Sequence, residues 1–225
     1  MRRMTLLLLL LVLLTAGCGL PSPFYLTPPA TPTPLATPTG TPYFQVISTT
    51  ANIEPEFRGF ELYYKCYKTT GDPIESDFGT SSFESDLRRA GFLPVCSETD
   101  VFASGRSAPL IYIDPTPPTD RGEAFTITVD FNSPANAKYE YTGPKTGTFF
   151  SVGVRRSVSD GVGKFKTFDP TQFQSTDVDI SRIFADAQLA GEFYIAMYAM
   201  SYGKQDLATT IWSSPVYLGY IHILL

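Results

Sequence analysis

The chain has 225 residues with 17 basic and 22 acidic side chains, a net charge of −5, and is 43% hydrophobic and 14% aromatic. That apolar content supports a packed core and excludes a chain disordered throughout. The negative balance, with no basic cluster larger than Arg88-Arg89 or Arg155-Arg156, excludes a nucleic-acid partner, whose affinity comes mainly from Lys and Arg neutralising phosphates; both pairs read as solvated edges.

Arg2 and Arg3 precede an unbroken apolar run of nine residues, Leu6 to Leu14. This is too short to span a bilayer, which takes ~20 apolar residues in a helix. Small residues follow, in the order of a secretory signal peptide. The stretch Leu14-Thr15-Ala16-Gly17-Cys18 resembles the lipobox of bacterial lipoproteins, departing only in Thr15 where Leu is usual. The resemblance implies that Cys18 is diacylated on sulfur and, after cleavage of residues 1–17, becomes the mature N-terminus of a membrane-anchored cell-envelope protein. Two acyl chains anchor stably where one holds only marginally. Gly19 is not the aspartate that favours inner-membrane retention, so the outer membrane is the expected site in a cell with two membranes. Cleavage leaves 15 basic and 22 acidic residues, a balance of −7.

Residues 18–42 read as a lipidated N-terminus and Pro/Thr-rich spacer. Positions 21–42 hold eight prolines and no charge, and proline removes a backbone donor and fixes φ. Fully extended, such a spacer reaches ~70 Å. The alternative is that its first part, with Phe24, Tyr25 and Leu26, folds back onto the domain.

From Tyr43 onward, short β-rich runs are punctuated by Gly, Pro, Asp and Asn. Strands are expected at 43–48, 109–113, 148–156, 193–202 and 215–223. In "GFELYYKCYK", Phe60, Leu62, Tyr64 and Cys66 alternate with Glu61, Tyr63, Lys65 and Tyr67, as in a half-buried strand. "FTITVDFN" places Phe125, Ile127, Val129 and Phe131 inward, the clearest period of two in the chain. These seven runs predict a mainly β fold, an antiparallel β-sandwich with one or two short helices in insertions. One helix is signalled by the S-x-x-E spacing of Ser81 and Glu84, an inward face of Phe83, Leu87 and Ala90, and a closing Gly91. A second turn is expected over 181–187. No linker divides 43–225, which reads as a single elaborated domain with insertions at about 69–107 and 157–180.

The C-terminal "FYIAMYAMSYGKQDLATTIWSSPVYLGYIHI" resembles the last two strands of fibronectin type III domains, through Ala199, Gly203, Ser214, Pro215 and Val216. Phe193 replaces the tyrosine of that family's corner, and no early tryptophan is present. The resemblance implies an immunoglobulin-like or fibronectin-like sandwich. Together with "GFELYYKCY", the chain also resembles uncharacterised spirochaetal envelope lipoproteins, which bring no activity with them.

No catalytic set emerges. His222 is the one histidine, on the terminal strand, so a Ser-His-Asp triad would rest on it alone, without a nucleophile-elbow motif. Asp177 with Asp179, and Asp114 with Asp120, lack the ligand number and glycine turn of a calcium loop; turn and helix-start roles account for them. No metal site, cofactor or enzymatic activity is expected. Binding is the better class of function. Tyr194, Tyr198, Tyr202 and Tyr217 form a candidate binding face for a protein partner or for sugar rings, unless that face packs beneath the helix or an insertion. The hairpin loop at 203–211 is a second candidate surface. With Cys18 lipidated, Cys66 and Cys96 remain as a candidate disulfide closing a loop of about 31 residues in an oxidising compartment, the alternative being two unrelated thiols.

Overall fold

The computed structural model describes residues 26–67, 83–98, 108–113, 119–158, 165–174, 177–180, 192–205 and 209–224. The expected signal peptide, Cys18, Phe24, Tyr25, Ser81, Asp114 and the expected turn at 181–187 lie outside them. The architecture is mainly β: two antiparallel sheets packed face to face, with one α-helix of six residues among the described residues.

The first sheet has the order β1-β6-β7-β8-β4, with β9 on β8. It comprises β1 (Tyr43–Ser48), β4 (Cys96–Ser97), β6 (Phe125–Asp130), β7 (Lys138–Thr142), β8 (Phe149–Ser157) and β9 (Phe165–Lys166). β1 and β6 alternate as their sequences predict: Phe44, Val46, Ile127 and Val129 are buried, and Thr126, Thr128 and Asp130 turn outward.

The second sheet is built on β2 (Phe57–Tyr67) and β10 (Glu192–Gln205), with β11 (Thr209–Trp212) and β12 (Val216–Leu224) on β10 and β3 (Leu93–Pro94) and β5 (Ile111–Tyr112) on β2. Tyr64 pairs with Met197 and Cys66 with Ile195 on the inner face; Tyr63 pairs with Tyr198 and Tyr67 with Tyr194 on the outer one. The sequence predicts a half-buried β2. It is buried on both faces, because the helix α1 (Glu84–Arg89) and Phe92 lie over the outer side. Tyr63 donates to Glu84 Oε1 at 3.0 Å, and the Phe92 and Tyr198 rings meet edge to face with centroids 5.2 Å apart.

The helix starts later than the Ser81 signal implies. Phe83 is its N-cap, and Asp86 supplies the reciprocal bond to the Phe83 amide at 3.2 Å. The expected inward face is therefore corrected: Leu87 is buried, but Phe83 is 65% exposed, because an N-cap side chain does not share the helix face. Gly91, at φ +87°, closes the helix with the paired bonds Phe92 N to Leu87 O and Gly91 N to Arg88 O, the left-handed cap that glycine adopts most readily.

Most of the expected spacer, residues 26–42 of 18–42, belongs to the domain. Leu26 is in the core, Ser201 Oγ donates to Thr27 O at 2.6 Å, and Thr27 N and Oγ1 both donate to Glu54 Oε1. Ala30 bridges to Ile47, and Ala36 bridges to Gly219 by Ala36 N to Leu218 O and Tyr220 N to Ala36 O. Residues 26–42 thus form a strap across β1 and β12, the fold-back alternative extended well past Leu26. The strap can approach β12 because Leu218 is the extra residue of a bulge, where the register with β10 steps from Met197–Gly219 to Tyr198–Tyr217. Gly219 then takes φ +105°, and a Cβ there would fall 2.2 Å from Ala36 O.

Gly219→Ala should therefore cost about 1–3 kcal/mol of stability and loosen the strap. Thermal unfolding and limited proteolysis of residues 26–42 test this; an unchanged melting temperature with an intact strap would contradict it.

Candidate functional site

The outer face of the second sheet gathers the sequence-predicted tyrosines. The register sets Tyr198 opposite Tyr217, Tyr194 opposite His222, and Tyr202 opposite Trp212. They do not form an open row. Tyr198 and Tyr202 are each 3% exposed, and Tyr194 and Tyr217 are half-buried. Tyr198 is pinned between Phe92 and Tyr217, both with ring centroids at 5.2 Å. Burial beneath the helical segment, the alternative reading of this face, is what the fold adopts at its centre. At one end Tyr194 stacks on His222 at 4.5 Å with 13° between the rings.

The other end opens into a cleft of about 500 Å³ lined by Leu26, Pro28, Phe83, Glu84, Ser85, Trp212, Ser213 and Ser214. Three elements converge here: the start of the strap, the N-terminus of α1, and the break between β11 and β12. The expected loop at 203–211 is mostly strand, since β10 runs to Gln205 and β11 returns from Thr209. Trp212 thus stands on a strand, its ring edge-on to Tyr202 at 6.1 Å. At the break, Ser213 N donates to Ser201 O at 3.0 Å and Ser213 Oγ accepts from Ser201 N at 2.9 Å, which holds the turn without regular pairing. The rim carries an exposed aromatic, Phe83, and a carboxylate, Glu84, whose position is fixed by Tyr63 and by an ion pair with Arg88. Trp212 and Phe83 were not read from the sequence as site residues; the one usable signal was that the chain has a single tryptophan.

A second polar assembly lies inside the sandwich. Arg156, expected as a solvated edge, is 0% exposed. It donates from Nε and Nη2 to the two oxygens of Asp179, each at 2.8 Å, and from Nη2 to Asp177 at 2.9 Å. Tyr64 OH donates to Asp179 Oδ2 at 2.7 Å and accepts from Ser157 N at 2.8 Å. Lys166 Nζ reaches Asp177 Oδ1 at 2.7 Å, and the Arg156 guanidinium carbon is 3.5 Å from the Phe173 ring centroid. Two cations meet two carboxylates, so the buried set balances. Burial alone would pull the Arg156 guanidinium down, but the Asp179 bonds outweigh it and hold it above its ordinary value. Burial, and then the Asp179 charge, push the Tyr64 hydroxyl and the Cys66 thiol up, which keeps both neutral. Asp177 and Asp179 therefore anchor a chain segment, a larger role than the turn function their sequence suggests. Asp120 does keep a turn role, accepting from Lys145 N, Thr146 N and Thr146 Oγ1.

The expected disulfide is corrected. Cys66 and Cys96 are separate buried thiols, Cys66 on β2 of the second sheet, where it pairs with Ile195, and Cys96 on β4 of the first, where it pairs with Arg155. Among the described residues, no group of three or more His, Cys, Asp or Glu side chains is placed to hold a metal ion.

No family model, curated protein or solved structure matches this chain.

Asp179→Ala should cost about 3–5 kcal/mol by leaving Arg156 buried without its principal partner, and Tyr198→Ala a similar ~3–5 kcal/mol as loss of a core aromatic. Denaturant unfolding measures both; a shift under 1 kcal/mol in either would remove that residue from the core. In the mature protein, unfolding without reductant should expose two alkylatable thiols, and mass spectrometry showing none would restore the bridge.

Proposed function

We propose that this chain is a lipid-anchored cell-envelope protein that binds a partner through the cleft beside Trp212. The anchor follows from the arrangement of Arg2, Arg3, the apolar run and Cys18. The observation that carries the binding reading is the cleft itself: two aromatic side chains, an apolar floor of Leu26 and Pro28, and the hydrogen-bonding groups of Glu84, Ser85 and Ser214 around one opening. Concave sites with an apolar lining and a few fixed polar groups are the usual ligand sites of a domain. Phe83 is 65% exposed beside it, an area of ring left bare at the point where a partner would gain most from covering it.

A carbohydrate ligand is the favoured second reading. Flat rings of Trp212 and Phe83 suit the apolar faces of sugar rings, and Glu84 and the serines suit their hydroxyls. A non-enzymatic role goes with both readings.

Cys18→Ala should abolish fatty-acid incorporation, read by metabolic labelling, and label retained by the variant would sink the anchor. Because Trp212 is the sole tryptophan, its emission reports the cleft directly. A glycan and envelope-peptide panel titrated against the mature protein should contain a ligand that changes this emission, and Phe83→Ala should weaken that ligand about 30-fold, as loss of an aromatic hot spot does. Binding that is indifferent to Phe83→Ala would place the site elsewhere.

A further inference from the structure

The charged side chains of the sandwich are mostly paired. Among the described arginines, Arg88, Arg89, Arg155 and Arg156 each have a carboxylate within ion-pair distance. Arg58 and Arg121 have none, and they are neighbours. Arg58 Nη1 donates to Phe57 O at 3.0 Å and Arg121 Nη2 donates to the same oxygen at 3.1 Å, which brings two guanidinium groups within about 6 Å of each other. Arg121 Nε is buried and makes no hydrogen bond among the described residues. Burial and the Arg58 charge lower the Arg121 pKa, against an opposing pull from Glu56 and Glu54.

The fold builds this pairing deliberately. Between Tyr202–Gly59 and Gly203–Phe57 the register of β10 with β2 skips Arg58, making it the extra residue of a bulge, a device that re-aims a side chain. Gly59 beside it is required, since a Cβ there would overlap Ile111 O at 1.9 Å. Around the two arginines stand Ile53, 65% exposed, and Tyr112, 46% exposed. Ile53 lies against Gly122, next to Arg121, and Tyr112 pairs with Gly59, next to Arg58. Two arginines in no ion-pair contact, with Glu54 and Glu56 near enough to act on Arg121 but not bonded to it, and flanked by a bare aliphatic and a tyrosine, have the composition of a surface that rests on lipid headgroups.

The position of the tether selects that occupant. The strap begins at Leu26 and Thr27, and Thr27 is bonded to Glu54, four residues from Arg58. Seven residues, 19–25, separate Thr27's neighbour Leu26 from the lipidated position, a span of at most ~29 Å. We propose that Arg58 and Arg121, with Ile53 and Tyr112, form a membrane-docking patch that takes the phosphate groups of anionic lipids at the root of the tether. This rests on the lipoprotein reading for its proximity to the bilayer. A phosphodiester offers oxygens to both guanidiniums at once, as a bidentate arginine site requires. Each arginine near an anionic surface should contribute about fivefold to occupancy of the docked state, an effect that falls as salt screens it.

The test uses the mature lipoprotein reconstituted into vesicles of phosphatidylcholine alone or of phosphatidylcholine and phosphatidylglycerol in equal parts, read by hydrogen exchange. Amides at 52–58 and 119–123 should be protected only in the phosphatidylglycerol vesicles, and protection should fade with added salt. Arg58→Gln with Arg121→Gln should reduce the docked fraction about 25-fold; Ile53→Ser, at an exposed position that leaves folding intact, should reduce it as well. Wild-type protein that stays in the vesicle fraction with these amides unprotected would overturn the patch while leaving the anchor standing. Protein that leaves the vesicle fraction would instead overturn the anchor. Inorganic phosphate that shifts the arginine Nε resonances in solution, with no protection on vesicles, would identify a free phosphate as the ligand and overturn the lipid assignment.

Discussion

Arg156 can remain charged inside the sandwich only because Asp177 and Asp179 meet it there, and much of the architecture is arranged around that meeting. The guanidinium comes from β8 of the first sheet. The carboxylates come from a segment tied to the second sheet by Cys66 N to Asp179 O at 3.1 Å, and Tyr64 on β2 donates into the same carboxylate. The cluster therefore joins both sheets and the irregular chain between them. Hydrophobic residues of equal volume would pack as stably, but they would not fix which segment lies against which strand. An ion pair with three directed bonds does so, since any slip leaves a buried charge uncompensated. The neutral Cys66 and Tyr64 beside it follow from the same low dielectric.

The second sheet is covered on both faces, and this explains why the tyrosines are mostly structural. A strand such as β10, with Met197 and Ala199 on one side and Tyr198 and Met200 on the other, would present apolar surface to water if only the opposite sheet covered it. The helix and Phe92 supply the second cover over the centre of the sheet, and the hydroxyl tips of Tyr63 and Tyr64 find carboxylates. The cover is incomplete near Trp212, where helix, strap and strand break meet without filling the space between them. The cleft is thus a consequence of how three separate pieces share one face.

What could be read from the sequence depended on how local the determining contact was. Phe125 to Phe131 alternate because one side of β6 meets water, so the pattern was legible without the fold. β2 differs from its pattern at Tyr63 and Lys65, whose polar tips imitate a solvent face while the ring and stem pack against the helix and Phe92. The strand Lys138–Thr142 escaped notice because its sequence, KYEYT, carries a charge at alternate positions and only two buried residues. Bulges at Arg58 and Leu218 re-phase their strands by one residue, which no period of two anticipates. The contact of Arg156 with Asp179 spans 23 residues, so a pair of adjacent arginines looked like surface charge. Cys66 and Cys96 satisfied the arithmetic of a disulfide but are separate thiols, because pairing depends on how closely and in what direction two side chains approach, which spacing does not encode.

The strap changes how an anchored molecule of this kind would work. A free spacer of residues 18–42 would hold the sandwich far from the bilayer and let it sample a wide volume. With residues 26–42 sealed to β1 and β12, a chain anchored at Cys18 would keep only seven residues of slack, 19–25, and their exit would lie beside Glu54 and the arginine pair. A short tether raises the effective concentration of any weak contact between domain and membrane. Contacts worth little in free solution then suffice to orient the domain. The Trp212 cleft is near the same exit, since Leu26 and Pro28 form part of its wall. In the proposed anchored molecule the strap would therefore couple the two surfaces: the root of the tether would set both the distance of the cleft from the bilayer and the direction in which it opens.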